Sequence, residues 1–178
     1  VILPEEIARA SEVMIVGTGA EVTPVREIAG TMFTPGRITE TLLDDYEKKR
    51  DFARTPEPAG AVPPPVRSGR GYVVHRHDAR RLHYDLRIEM GGVLRSWAVP
   101  KGFAYDSKEK RLAVQTEDHP LAYEDFEGTI PKGEHGAGPM AIFDRGTYAL
   151  ARGDDPLAEC ATGELKIVLH GRRLHGEW

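Results

Sequence analysis

The sequence predicts a mainly β fold, in which antiparallel strands form a curled sheet or a barrel. After residue 70, short segments of alternating polar and apolar residues are separated by turn residues, at 71–76, 82–90, 93–99, 111–117, 139–143 and 163–170. In the segment from Leu82 to Met90 the alternation is complete, and Gly91-Gly92 then supplies a tight turn. Successive strands with one polar and one apolar face are typical of a curled antiparallel sheet.

The chain before residue 70 divides into three parts. Extended pieces at 12–16 and 21–28 flank a turn at 17–19. Apolar residues at helical spacing, among them Ile38, Leu42 and Tyr46, predict a helix over 37–50. Five prolines between 56 and 65 predict a linker or an extended strap across a surface.

Composition narrows the class of protein. The 178 residues are 40% hydrophobic and 29% charged, which is ordinary for one folded domain with a short appendage. The net charge of −4 argues against a broad basic nucleic-acid-binding face but permits a local cationic site. The single cysteine, Cys160, excludes an internal disulfide and a cysteine-based zinc site. Apolar runs are too short to span a bilayer, so we expect a cytoplasmic protein without membrane association.

One segment, residues 75–87, carries most of the chemistry. It holds three histidines, two aspartates and four arginines in thirteen residues. Such a run is often only a solvated surface, but the alternation places His83, Asp85 and Arg87 on one strand face. Imidazole and carboxylate suit a divalent ion such as Mn²⁺ or Zn²⁺, and guanidinium suits phosphate. A third ligand is available in 117–119, where His119 follows two acids. The pattern indicates a metal-assisted phosphate site.

Several motifs in order resemble the 3′-phosphoesterase domain of bacterial DNA ligase D. They are residues 77–87 (HDARRLHYDLR), 96–102 (SWAVPKG), 117–121 (EDHPL) and 126–128 (FEG), preceded by an arm at 50–52 and 55–58. The resemblance runs from about Tyr46 to Trp178, which makes the proline stretch part of this domain. It divides the chain into an appendage at 1–46 and a phosphoesterase domain at 47–178.

The resemblance implies a fold and an activity. The family forms a β-barrel with a few surface helices and uses a Mn²⁺-type metal, with Zn²⁺ or Co²⁺ as alternatives. It heals 3′ ends of DNA or RNA-containing strands in non-homologous end joining, by removing a terminal ribonucleoside and then hydrolysing the 3′-phosphate. Its partners are ligase and polymerase modules and Ku. By analogy we expect a monomer at the bacterial or archaeal nucleoid.

The resemblance also assigns roles to residues. It implies His77, Asp85 and His119 as metal ligands. His83 and Arg87 would hold the phosphate, with His83 either protonating the leaving oxygen or orienting the phosphate. Glu117, as a partner that orients a ligand histidine, and Tyr123 complete the catalytic set, and the matching substrate-binding positions are Arg50, Asp51, Glu57, Lys101 and Arg111.

The sequence departs from the family pattern at several points. His75 stands where glutamine is usual, and His135 stands in the glycine-rich turn 133–138 where an aromatic residue is expected. The family has at least one more strand after the position of Trp178, so we expect a barrel that lacks its last strand. A catalytically impaired module that only binds nucleic-acid ends is therefore the alternative function.

Residues 1–46 resemble a different family. The segments 17–28 (GTGAEVTPVREI) and 33–36 (FTPG) are similar to the carboxy-terminal end of a branched-chain aminotransferase. About 46 residues cannot bury an independent core of useful size, and the lysine-bearing cofactor domain of that family is missing. We interpret the segment as a remnant without pyridoxal-phosphate chemistry, and an aminotransferase fragment is the second alternative.

Overall fold

An eight-stranded antiparallel sheet organises the chain in the computed structural model. The structure describes residues 43–60, 70–106 and 108–178 in full, and the backbone of four short segments at 13–16, 22–25, 27–28 and 31–32. Those four segments are β1 (Val13–Val16), β2 (Val22–Val25), β3 (Glu27–Ile28) and β4 (Thr31–Met32). β1 pairs with β2 and β3 pairs with β4. The predicted turn at 17–19 and residues 37–42 of the predicted helix lie outside the described residues, and the division at residue 46 stays a prediction.

The remaining elements follow in chain order. They are α1 (Asp44–Lys48), β5 (Gly71–Asp78), β6 (Leu82–Met90), β7 (Val93–Val99), β8 (Val114–Gln115), a 3₁₀ helix (Leu121–Asp125), β9 (Gly128–Ile130), β10 (Gly138–Leu150), α2 (Pro156–Ala161), β11 (Ile167–Gly171) and β12 (His175–Glu177). The mainly β class with few helices is confirmed. No helix in the described part of the chain is both long and apolar enough to span a bilayer.

The strand order explains how distant segments meet. It runs β12-β11-β10-β5-β6-β7-β8, and β9 pairs with β10 outside this path. β5, β6 and β7 form a meander, and the long strand β10 lies on the other side of β5. Among the described residues no pairing joins β8 to β12, so the sheet stays open. The open sheet is only loosely consistent with the predicted barrel.

Three predicted strands have clearly different bounds in the structure, and of these β11 begins at Ile167 although the predicted strand begins at 163. Only Val114–Gln115 of 111–117 forms a strand, although Leu94 and His119 continue the contact with β7 as a bridge. β10 is far longer than the predicted 139–143. α2 was not predicted, although Asp155 caps it by accepting hydrogen bonds from the amides of Leu157 and Ala158.

The sheet packs an apolar layer on each face. In β5, Val73 belongs to one cluster while Tyr72 and Val74 belong to the other, as strand alternation requires. The first cluster includes Tyr46, Leu94, Leu121, Tyr123, Phe126, Ile130 and Met140. His75 and His77 follow Val73 at two-residue spacing, so the histidines of β5 share its face. The site described next lies on this face.

Candidate metal and phosphate site

A cavity of about 190 Å³ opens where β5 ends and β6 begins. It collects eight of the twelve site residues predicted from the sequence, from four separate parts of the chain. They are Arg50, His77, His83, Asp85, Arg87, Glu117, His119 and Tyr123. The register explains part of this convergence, because His77 pairs with His83 across β5 and β6 and Asp85 lies opposite His75.

His77, His83 and Asp85 form a compact cluster, with one ligand-type atom of each within 4.8 Å of the others. His77 Nδ1 lies 3.3 Å from Asp85 Oδ2, and His83 Nε2 lies 3.4 Å from Asp85 Oδ1. The other nitrogen of each ring faces a backbone carbonyl. His77 Nε2 lies 2.7 Å from the oxygen of Gly136, and His83 Nδ1 lies 3.0 Å from the oxygen of Arg81.

These carbonyls determine which ring nitrogens carry hydrogen. A carbonyl oxygen only accepts, so His77 donates from Nε2 and His83 donates from Nδ1. In the neutral rings, the nitrogens that face Asp85 therefore hold lone pairs. Two lone pairs and a carboxylate directed at one another form the donor set that a divalent transition ion takes, with each imidazole oriented by a carbonyl behind it. The residues present fit a metal.

The electrostatics favour an ionised Asp85. Burial alone would raise the pKa of its carboxyl, but the charge of Arg87 and the neighbouring His77 and His83 rings outweigh burial and hold that pKa well below its usual range. Asp85 favours the protonated form of His83, in which Nε2 donates to the carboxylate, and this raises the pKa of His83 against the opposing effect of burial. A bound metal would take the place of that proton. A permanent carboxylate is the state that metal binding requires.

Arg87 lies beside the cluster and is 3% exposed. Its Nη2 donates to Asp85 Oδ2 at 3.2 Å, and its Nη1 donates to Ser96 Oγ at 2.9 Å. Its guanidinium carbon lies 4.7 Å from the centre of the Tyr123 ring. These contacts hold a planar cation at the cavity wall, in the form that recognises phosphate oxygens.

His119 does not join the metal-type cluster. Its Nδ1 lies 2.9 Å from the carbonyl oxygen of Glu117 and 3.0 Å from Arg87 Nη1, and its Nε2 lies 3.4 Å from Arg50 Nη2. Burial, and then the two arginines, lower the pKa of His119 well below its usual value, so the ring is neutral. The structure thus places His83, rather than the predicted His119, with His77 and Asp85.

Glu117 and Glu57 organise the cations of the arm. Arg50 lies 2.8 Å from Glu57 and 3.3 Å from Glu117, and Lys49 lies 3.3 Å from Glu117. The hydroxyl of Tyr123 donates a hydrogen bond to Glu57 at 2.7 Å. Burial raises the pKa of Tyr123 above the ordinary tyrosine value. Arg50, Glu117 and Tyr123 line the cavity, and Glu57 contacts Arg50 and Tyr123 without lining it.

Three predicted residues lie away from this cavity. Asp51 is exposed, and its Oδ1 accepts a hydrogen bond from the amide of Ala53. Lys101 is exposed in the turn after β7. Arg111 pairs with Glu109 at 2.7 Å and lines a separate groove. The structure does not bring these three to the metal-type cluster.

Other residues belong to the site without having been assigned a role from the sequence. Ser96, which is fully buried, accepts from Arg87 and donates to the oxygen of Leu94. The turn 133–138 is confirmed as a turn, yet it also contributes the Gly136 carbonyl and the side chain of His135 to the cavity. Ser96 pairs across the strands with Arg87, a signal that the alternation of both strands contained.

Comparisons with known proteins show the family of the chain. The family model described as "DNA Ligase D 3′-phosphoesterase domain" matches residues 75–178. The chain is 51% identical over 137 residues to the multifunctional non-homologous end joining protein LigD of Pseudomonas aeruginosa, across 76% of this chain and 16% of that protein. It is 47% identical over 137 residues to the LigD protein of Mycobacterium tuberculosis, and 44% identical over 142 residues to that of Mycolicibacterium smegmatis, each across 76% of this chain and 18% of the relative.

The chain thus spans less than a fifth of the length of these curated relatives. The matched region contains the cluster, Arg87 and His119, and the family model covers more than half of the 178 residues. This chain belongs to the family of DNA ligase D 3′-phosphoesterase domains.

Proposed function

We propose that this chain is a metal-dependent 3′-phosphoesterase that heals the 3′ ends of DNA or RNA-containing strands during end joining. Its two reactions are removal of a 3′-terminal ribonucleoside and hydrolysis of the 3′-phosphate that remains. The observation that carries the proposal is the placement of Arg87 beside His77, His83 and Asp85, since a metal-type cluster and a phosphate-binding cation share one carboxylate.

His77, His83 and Asp85 are the residues that would hold the metal. Mn²⁺ is the proposed ion, and Zn²⁺ or Co²⁺ suit the same two imidazoles and carboxylate. When bound, the ion supplies a Lewis acid that polarises a phosphoryl oxygen. This assignment moves His119 from the metal to the phosphate side of the site.

The other residues bind and orient the phosphate. Arg87 already donates to Asp85 through Nη2, and this edge of the guanidinium faces the cluster where a phosphate would meet both. His119 is neutral and fixed between two arginines, so it orients an oxygen by hydrogen bonding without adding charge. Glu117 holds Arg50 and Lys49 at the cavity edge, as local cations for the nucleic-acid backbone.

The proposed substrate is the end of a primer–template. A single clamped end needs only a local cationic pocket, so the net charge of −4 is compatible with it. The relatives named for non-homologous end joining support the context of repair. Ligase and polymerase modules and Ku as partners, a monomeric state, and a bacterial or archaeal nucleoid location belong to the same proposal.

The experiment is Mn²⁺-dependent release of phosphate from a primer–template that ends in a 3′-phosphate. We expect release by the parent chain and its loss in His77→Ala and Asp85→Ala. His170→Ala, at an exposed histidine of β11, is the matched control and should keep the parent activity. A folded parent that binds Mn²⁺ and the DNA end but releases no phosphate would overturn the proposal in favour of an end-binding module.

A further inference from the structure

We propose that His75 is a positioning residue that fixes Arg87 through a single ring nitrogen. His75 is fully buried in β5 and lies opposite Asp85 in the register. Its Nδ1 lies 3.4 Å from Arg87 Nε, and its Nε2 lies 3.1 Å from the carbonyl oxygen of Phe126. The inference rests on the proposed function only in assigning Arg87 to the phosphate.

The two partners of the ring allow one hydrogen arrangement. The carbonyl of Phe126 can only accept, so Nε2 carries the hydrogen and Nδ1 presents a lone pair. Arg87 Nε always carries a hydrogen, and it donates to that lone pair. A ring with hydrogen on Nδ1 would set two donors against each other. The Phe126 carbonyl therefore selects the tautomer that accepts from Arg87.

The contact closes the set of bonds that orient the guanidinium. Arg87 donates from Nε to His75, from Nη1 to Ser96 and from Nη2 to Asp85. Three bonds from three nitrogens of a rigid plane leave no freedom to rotate about the side-chain axis. Without the Nε bond the plane can tilt, and a misplacement of about 1 Å is enough to cost about a hundredfold in rate.

The kinetic test compares His75→Leu with His75→Gln. Leucine fills the buried volume without accepting, and we expect kcat for 3′-phosphate hydrolysis to fall about ten- to a hundredfold, with a smaller change in KM. Glutamine offers both an acceptor and a donor, so it should restore most of kcat. Mn²⁺ affinity should stay at the parent value in both variants, because His75 is outside the ligand cluster. A folded His75→Leu protein with parent kcat would overturn the proposal.

Two measurements separate positioning from loss of stability and from failure of the proposed function. Tyr72→Phe removes a buried hydrogen bond to Asp144 on the opposite face of the sheet, so it should lower stability while leaving kcat unchanged.

Nitrogen-15 NMR of the metal-free protein reports the His75 tautomer and the Arg87 Nε–H signal without any turnover. We expect the Nε2–H tautomer, with a slowly exchanging Nε–H signal in the parent and in His75→Gln that is lost in His75→Leu. An Nδ1–H tautomer, or an Nε–H signal indifferent to leucine, would overturn the inference even in an active enzyme. An inactive parent with the expected signals would remove only the proposed function.

Discussion

Arg50 Nε lies 2.8 Å from Glu57 Oε1, and the two side chains are 4% and 0% exposed. This ion pair joins the segment that follows α1 to the start of the proline-rich stretch, and Arg50 lines the cavity. Glu57 also accepts from the hydroxyls of Thr55 and Tyr123, so its carboxylate is satisfied by three donors. Residues 55–58 at the start of the stretch thus contact the site, whereas residues 61–65 lie outside the described part of the chain, so the choice between linker and strap stays a prediction.

Replacing Glu57 should therefore lower the stability of the protein strongly. We expect Glu57→Ala to lower the free energy of unfolding by about 3–5 kcal/mol, because it leaves Arg50 charged and buried with the longer ion pair to Glu117 in place of the short one. Urea unfolding at pH 7 measures this. Arg54→Ala is the control, since it breaks a pair with Glu134 in which the Arg54 side chain is exposed, and it should cost less than about 1 kcal/mol. Equal losses in the two variants would show that burial of the Arg50 pair contributes nothing.

The alternation of β6 made much of the site predictable. A two-residue period is enough to place His83, Asp85 and Arg87 on one face, and antiparallel pairing with β5 adds His77. The choice between His83 and His119 was not predictable, because both rings lie near Arg87. Which of them turns a lone pair toward Asp85 depends on backbone carbonyls that tertiary structure supplies.

The carboxy-terminal elements show a different limit. The capping pair Asp155-Pro156 was a readable signal for α2. β12 had no comparable local signal, because the turn between β11 and β12 is stabilised by a residue about thirty positions earlier in the chain. Asp144 accepts hydrogen bonds from the amides of Arg172, Arg173 and Leu174, and periodicity within β12 cannot reveal that contact.

Ser96→Ala should reduce activity without touching a metal-type residue. The variant leaves Arg87 Nη1 without the acceptor that it has at 2.9 Å, in a fully buried position. We expect a loss of about 1–3 kcal/mol in stability and a fall in kcat of roughly tenfold or more for 3′-phosphate hydrolysis. Thr147→Ala, which removes an exposed hydroxyl from β10, serves as the control. Parent kcat in Ser96→Ala would mean that Arg87 needs no support from this hydroxyl.

Acid should unfold the protein partly through Asp144. Burial would raise its pKa, but hydrogen bonds from Leu174, Arg173, Tyr72 and Arg172 outweigh burial and lower it. A depressed folded-state pKa gives stability that is present above the unfolded value of about 3.9 and is lost as the pH falls through the folded pKa. At pH 7 the Asp144→Asn variant should therefore be less stable than the parent. On acidification from about pH 5 to about pH 2, within the range over which such a carboxylate titrates, the variant should lose less stability than the parent. Unfolding free energies across that range test this, and parallel curves for the two proteins would contradict it.

Metal binding should distinguish His83 from His119. His83 presents Nε2 to Asp85 while its Nδ1 donates to the Arg81 carbonyl. The two nitrogens of His119 instead face Glu117, Ser96 and the two arginines. We expect His83→Ala to weaken Mn²⁺ binding by at least about tenfold. Loss of a residue that merely hydrogen-bonds to a metal ligand already weakens metal binding by about that factor. His119→Ala should keep the parent affinity while losing phosphatase activity, because it acts on the phosphate. Calorimetric titration of each folded variant with Mn²⁺, beside His170→Ala, measures the difference. Parent affinity in His83→Ala together with lost affinity in His119→Ala would restore His119 as the ligand, as the family resemblance implied.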